Sequence, residues 1–276
     1  MVRPRLVGIV NVTRDSFSDG GRYLLPEAAI AHARELAAAG ADVVELGPAS
    51  SHPDAERVPP EEEIARLDRV VDGLEGIPWG VDSFHPEAQR WALARGASYL
   101  NDIGGFARPY GELADSSCRL VVMHSVQRTG PATRVVTDAG AIWGRIEAFF
   151  DRRIAALEGA GIGPERLVLD PGLGYFLGST PEPSIAVLAD LARLKERYGL
   201  PILVSPSRKS FLRAITGTDL GGIAAATLAA ELSAADQGAD YIRTHDPAGL
   251  RDALLVRDAL AEFDVYRYRR GIRIGW

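Results

Sequence analysis

The sequence predicts an α/β chain folded as a single-domain (β/α)8 TIM barrel, and three observations carry that expectation. Eight short runs rich in aliphatic and β-branched residues alternate with longer stretches of helical character. Most of the short runs are apolar almost throughout, as parallel strands buried on both faces should be. The length, 276 residues, suits a barrel of this kind, which typically takes about 250. An open doubly wound sheet is the structural alternative. Against it, no GxGxxG follows the first strand.

The first strand is expected at 5–11 (RLVGIVN), with its helix at 26–39 between Pro26 and Gly40. Between them, NVTRDSFSDGG (11–21) is too long for a tight turn and is expected to form a lid. The second pair is 42–47 (DVVELG) and 60–75, where Pro60 opens the helix and Glu61, Glu62 and Glu63 favour its dipole. The third is 77–83 (IPWGVDS) and 86–95, from Pro86 to Gly96, and the fourth 98–103 (SYLNDI) and 109–116. The fifth, 119–124 (RLVVMH), precedes a helix at 138–160 that Gly161 stops. The sixth, 166–170 (RLVLD), precedes 183–198, stopped by Gly199. The seventh is 201–205 (PILVS) with 219–237 and Gly238, and the eighth 240–245 (DYIRTH) with 247–263 opening at Pro247. Proline fits the first helical turn and glycine the residue past the end. The barrel is bounded at 1–265, and the basic segment 266–276 (YRYRRGIRIGW) is expected to be a solvated terminus.

Composition narrows the function. A formal net charge of −6 argues against general nucleic-acid binding and says nothing of a local anion site. No run of ~18 apolar residues and no cleavable signal pattern is present, so no membrane association is expected. The single Cys118 excludes an internal disulfide or a cysteine cluster and fits a cytoplasmic location.

In this architecture the site lies at the C-terminal ends of the strands. Those ends present Asn11, Glu45, Asp82, Asn101 with Asp102, His124, Asp170, Ser207 to Ser210, and Arg243 with His245. One such residue would be a loop cap; a polar group from every strand is a site. Asp and Asn match the donors and acceptors of an amide- or guanidine-like heterocycle, and Lys, Arg and His hold phosphate. Lysine occurs twice, at 195 and 209, in a chain that otherwise uses arginine. Lys195 falls on a surface helix, whereas Lys209 follows the seventh strand. His124 is open to a structural or a functional reading, and His32 and His85 are read as surface or flanking residues. A barrel acting on sugar phosphates is a weaker reading, since fold alone does not fix function.

GIVNVTRDSFSDGG, VDSFHPEAQ, YLNDIGGF, VVMHS, LDPGLGYF, SRKSFL and IRTHD occur in order from residue 8 to 246. Together they resemble dihydropteroate synthase, the pterin-binding barrel of folate biosynthesis. ELGPASSHPDAERV, LVVMHSVQ and LAAELSAADQGADYIRTHDP resemble its Sul-type, sulfonamide-resistant branch. The resemblance implies that 4-aminobenzoate displaces diphosphate from 6-hydroxymethyl-7,8-dihydropterin diphosphate, through a pterin-stabilised cation. It implies pterin contacts from Glu45, Asp82, Asn101, Met123, Asp170 and Lys209, with Asp82 stabilising the developing cation. It implies a diphosphate site at Asn11, His52, Arg243 and His245, with Mg2+ as cofactor met by Asn11. The aminobenzoate pocket would comprise Phe17, Ser51, Pro53, Tyr175, Phe176 and Ser210, the last at a helix start suited to a carboxylate. Asp82, Lys209 and Asn11 would carry the catalysis. The family also implies small-molecule partners and a homodimer.

Four departures from the family's wording matter. Arg14 replaces a proline, Glu45 an aspartate, and His52 stands where an arginine meets diphosphate. The segment DPGLGYFLGSTPEPS is longer and sets Tyr175, Phe176 and Leu177 by the aminobenzoate pocket. An aromatic there would clash with the sulfonyl substituent of a sulfonamide and spare the smaller substrate. The alternative readings are a methyltetrahydrofolate-binding corrinoid methyltransferase and a non-catalytic pterin-binding homologue.

Overall fold

The computed structural model describes residues 3–13, 25–127 and 130–269, with side chains to 263. Arg14, Phe17, most of the expected lid and the end of the basic segment lie outside the described residues.

The strands are β1 (Arg5–Asn11), β2 (Val43–Gly47), β3 (Trp79–Asp82), β4 (Tyr99–Asp102), β5 (Arg119–Met123), β6 (Leu167–Asp170), β7 (Leu203–Val204) and β8 (Tyr241–Thr244). They form one parallel sheet in the order β6-β5-β4-β3-β2-β1-β8-β7. A bridge from Leu169 to Ile202 and the Leu169 N–H to Pro201 carbonyl bond of 2.8 Å join β6 to β7 and close the barrel. β7 is shorter than expected because Pro201 and Pro206 flank it and donate nothing to a ladder.

The helices are α1 (Pro26–Ala38), α2 (Pro60–Val71), α3 (Pro86–Ala94), α4 (Gly111–Asp115), α5 (Ile142–Gly159), α6 (Glu182–Ala189), α7 (Ala192–Tyr198), α8 (Ser210–Thr216), α9 (Ala224–Asp236) and α10 (Pro247–Arg269). Pro26, Pro60, Pro86 and Pro247 open their helices as expected. The helix expected at 183–198 is two. Asp190 leaves helical geometry (φ −130°, ψ 35°), and the break lets Leu191 and Leu194 on one side join Val187 and Leu188 on the other in the core. α10 runs to Arg269, past the boundary set at 265, since no glycine precedes Gly271 to stop it.

The main core lies between strands and helices and includes Leu46, Leu100, Leu120, Phe150 and Leu254. A second layer fills the lower barrel interior: Val7, Val43, Tyr99, Val121, Val168 and Leu203. That plug leaves the opposite, C-terminal end of the strands to carry chemistry. Among the described residues no helix is long and apolar enough to cross a membrane.

Candidate active site

Parallel pairing places Glu45 beside Gly80, and Asp82 beside Asn101. Arg243 of β8 reaches across this layer. Its Nη2 ion-pairs with Glu45 Oε1 and donates to Asp82 Oδ2 at 3.0 Å. Burial pushes the Glu45 carboxyl up from its ordinary value, and the Arg243 guanidinium opposes that shift. The Tyr99 hydroxyl donates to Glu45 Oε2 at 2.7 Å. Glu45, the longer acid, is thus tied inside the barrel. Glycine at position 80 makes room for this arrangement, since a Cβ there would stand 2.5 Å from the Tyr99 ring.

Asn101 is fully buried. Its Nδ2 points to Glu45 Oε2 at 3.5 Å, and its Oδ1 has no hydrogen-bond partner among the described residues. Asp170, at the end of β6, accepts the Gly172 N–H at 2.8 Å. Burial raises its pKa to about 6, against the Gly172 hydrogen bond and the Lys209 charge. Gly172 holds φ +75°, and a Cβ there would lie 2.5 Å from the His124 carbonyl, so only glycine makes this turn. Lys209 keeps some contact with solvent, but protein surrounds its ammonium. Burial first and the Arg243 charge second lower its pKa to about 8, against Asp170, Asp82 and Glu45. The ammonium sits 5.4 Å from the centroid of the Phe176 ring.

Beside this group a cavity of about 230 Å3 opens, lined by Ser51, His52, Pro53, Tyr175, Phe176, Lys209 and Ser210. His52, expected among the diphosphate residues, is placed here, edge-on to Tyr175 at 5.6 Å. Burial lowers its pKa below the ordinary histidine value, so it carries no fixed charge at neutral pH. Phe176 is buried against Ile103, Met123 and Ala132, and its carbonyl accepts the Val126 N–H at 2.9 Å. Arg134 grips Asp54 through both guanidinium nitrogens, one at 2.5 Å, and lies over Tyr175, its Cζ 5.8 Å from the ring centroid. This pair joins the loops after β2 and β5 above the cavity.

The remaining predicted residues divide. His245 Nδ1 meets Ser207 Oγ at 2.8 Å. Asn11 ends β1 with its Oδ1 beside Gly47. Asp102 turns away from the group and accepts N–H bonds from Gly104 at 2.6 Å and Phe106 at 3.1 Å, as a loop cap does. His124 Nδ1 lies 2.9 Å from the Pro171 carbonyl, and burial lowers its pKa to about 4. Two residues were missed by sequence reasoning: Tyr99, and Glu63 of α2. Glu63 is buried, accepts from Ser83 Oγ at 2.5 Å and lies 3.9 Å from His85 Nε2, bracing the loop that follows Asp82. Its spacing with Leu67 and Val70 on the buried face was the available signal.

The family model described as pterin binding enzyme matches residues 7–245. Dihydropteroate synthase type-2 of Escherichia coli is 60% identical over 261 residues, covering 93% of this chain and 96% of that protein. The Xanthomonas albilineans dihydropteroate synthase solved with 4-aminobenzoic acid superposes with a TM-score of 0.84 at 39% identity, over 94% of this chain and 93% of that one. The same enzyme in complex with 7,8-dihydropteroate gives a TM-score of 0.80 at 39% identity, over 94% of each chain.

Proposed function

The chain belongs to the pterin-binding enzymes, among the dihydropteroate synthases, transferases that condense 6-hydroxymethyl-7,8-dihydropterin diphosphate with 4-aminobenzoate, and we propose how its own residues divide that work. One observation carries the assignment. Asn101 Oδ1 is a buried acceptor without a donor among the described residues, on the same rim as the buried Asp170 carboxylate. An aminopyrimidinone edge supplies the adjacent N–H groups that such acceptors need. Lys209 gives a point donor to a ring heteroatom from the opposite side.

As the C–O bond breaks, the electron pair leaves with diphosphate and positive charge develops on the pterin methylene. Asp82, held by Arg243 and unable to reorient freely, faces that charge in a site shielded from water. The aminobenzoate nitrogen then bonds to the methylene carbon and loses its proton. Arg243 and His245, with its partner Ser207, are placed to hold the anion. Among the described residues no three His, Cys, Asp or Glu side chains are grouped to cage a metal. A lone amide oxygen from Asn11 fits a hard cation held mostly by phosphate and water. When bound, Mg2+ supplies charge neutralisation to the departing diphosphate.

A diphosphate-release assay tests the reading. With both substrates, release is expected to match the 7,8-dihydropteroate formed, and to be slower after Mg2+ is removed. No release with both substrates, or release with no dihydropteroate formed, would overturn it.

The same reading includes insensitivity to sulfonamides, with Phe176 as the obstructing side chain. Its ring lines the aminobenzoate cavity and is backed by Ile103, Met123 and Ala132, so it does not yield to a bulky substituent. A forced clash costs about 1–3 kcal/mol. Deleting Phe176 and Leu177, or changing Phe176→Ala, is expected to tighten sulfonamide inhibition by about tenfold to 100-fold. Unchanged inhibition in a variant that still turns over would refute this. A cytoplasmic location and a homodimer complete the reading; the dimer is supported by the exposed apolar side chains Leu255, Val256 and Leu260 of α10, suited to cover one another across a two-fold axis.

A further inference from the structure

Arg213 has no role in the scheme above. It lies on α8, one turn beyond Ser210, and lines the aminobenzoate cavity together with Ser210, Lys209 and His52. Its Nε is buried without a hydrogen-bond partner among the described residues. An arginine at a cavity wall with a buried, unmatched donor carries a desolvation penalty that a small shift toward an incoming acceptor removes. Two other cations line the cavity, and both are engaged: the Lys209 ammonium faces the Phe176 ring and feels Asp170, Asp82 and Glu45, and Arg208 has a partner of its own. His52 is held neutral by burial, with Arg134 and Arg213 adding to that effect against Asp54. The positive charge of this end of the cavity is therefore that of a guanidinium, whose planar fork fits a carboxylate in two parallel hydrogen bonds.

We propose that Arg213 anchors the carboxylate of 4-aminobenzoate and that it selects substrate over sulfonamide by charge, a second filter independent of the Phe176 ring. The proposal rests on the synthase reading. A carboxylate is anionic and planar; a sulfonamide group is tetrahedral and its parent form neutral, so it forms no charge-assisted bidentate pair. Sulfanilamide isolates the effect, because it carries no bulky substituent for Phe176 to obstruct.

The test compares the whole wild-type enzyme with Arg213→Gln and Arg213→Lys in steady-state diphosphate release. Arg213→Gln is expected to raise KM for 4-aminobenzoate by about 10- to 100-fold and to leave KM for the pterin diphosphate unchanged. Inhibition by sulfanilamide should keep its wild-type strength, so the preference for substrate over inhibitor collapses by the same factor. Arg213→Lys should recover part of the loss, since it restores charge without the fork. An unchanged KM for 4-aminobenzoate, or an equal rise in both KM values, overturns the proposal while the synthase reading stands. No diphosphate release from the wild-type enzyme would overturn both.

Discussion

Changing Lys209→Ala is expected to lower kcat/KM by about 100-fold or more, the scale of losing one charged donor that is preorganised for a transition state. The reason is where the ammonium sits. Asp170, Asp82 and Glu45 all act on it, and Arg243 is already engaged by two of those acids. Removing Lys209 takes away a donor to the pterin and a positive charge from a group dominated by carboxylates. Lys209→Arg should not rescue it, because a broad planar fork does not replace a single point donor. The pH dependence follows with a definite sign. Burial holds the Lys209 pKa at about 8, so the ammonium predominates below that value and is lost above it. The wild-type kcat/KM should therefore fall as pH rises through about 8, since this profile reports groups of the free enzyme. The variant should lack that alkaline limb. A variant that keeps the limb would show that the titrating group lies elsewhere.

Much of this site was legible because its parts are local. Six of the strands carry a candidate site residue at or near the C-terminal end, so Asn11, Glu45, Asp82, Asn101, Asp170 and Arg243 could be read in chain order once the barrel was recognised. Four proline-opened helices fixed the spacing between those ends. What could not be read is what happens across the barrel. The Tyr99 hydroxyl and Glu45 are 54 positions apart, and Arg243 and Asp82 are 161 apart; both contacts depend on strand register and on the space left by Gly80. Glu63 illustrates a different obstacle. An acid in a first helical turn satisfies the dipole whether it faces solvent or core, and the same pattern covers both cases. The split at Asp190 was hidden because no proline or glycine marks it; buried leucines on either side set the new axis. His52 shows the limit of carrying a position over by wording alone: its ring turns toward Tyr175 and the cavity that Phe176 lines.

Arg243→Ala is expected to destabilise the fold by about 3–5 kcal/mol near neutral pH, the cost of leaving buried charge without its partner. Glu45 is fully buried and Asp82 mostly so, and Arg243 is the cation that touches both. With it gone, the Tyr99 hydroxyl is left to hold a carboxylate that burial already disfavours. The sign with pH is opposite to that of an ordinary paired acid. Glu45 has its folded pKa raised, so the native state keeps its proton at a pH where the unfolded chain has lost it. Lowering the pH through that window favours the native state, and the deficit of Arg243→Ala should shrink on mild acidification. Adding Glu45→Gln to Arg243→Ala should do the same at neutral pH, by removing the unpaired charge while the amide still accepts from Tyr99. Urea unfolding of the two single variants and the double variant measures the coupling. If the two losses simply add, Arg243 is not the counter-ion of Glu45. If the double variant is the more stable of the two that lack Arg243, the pair that readies Asp82 for a cation also holds the upper barrel together.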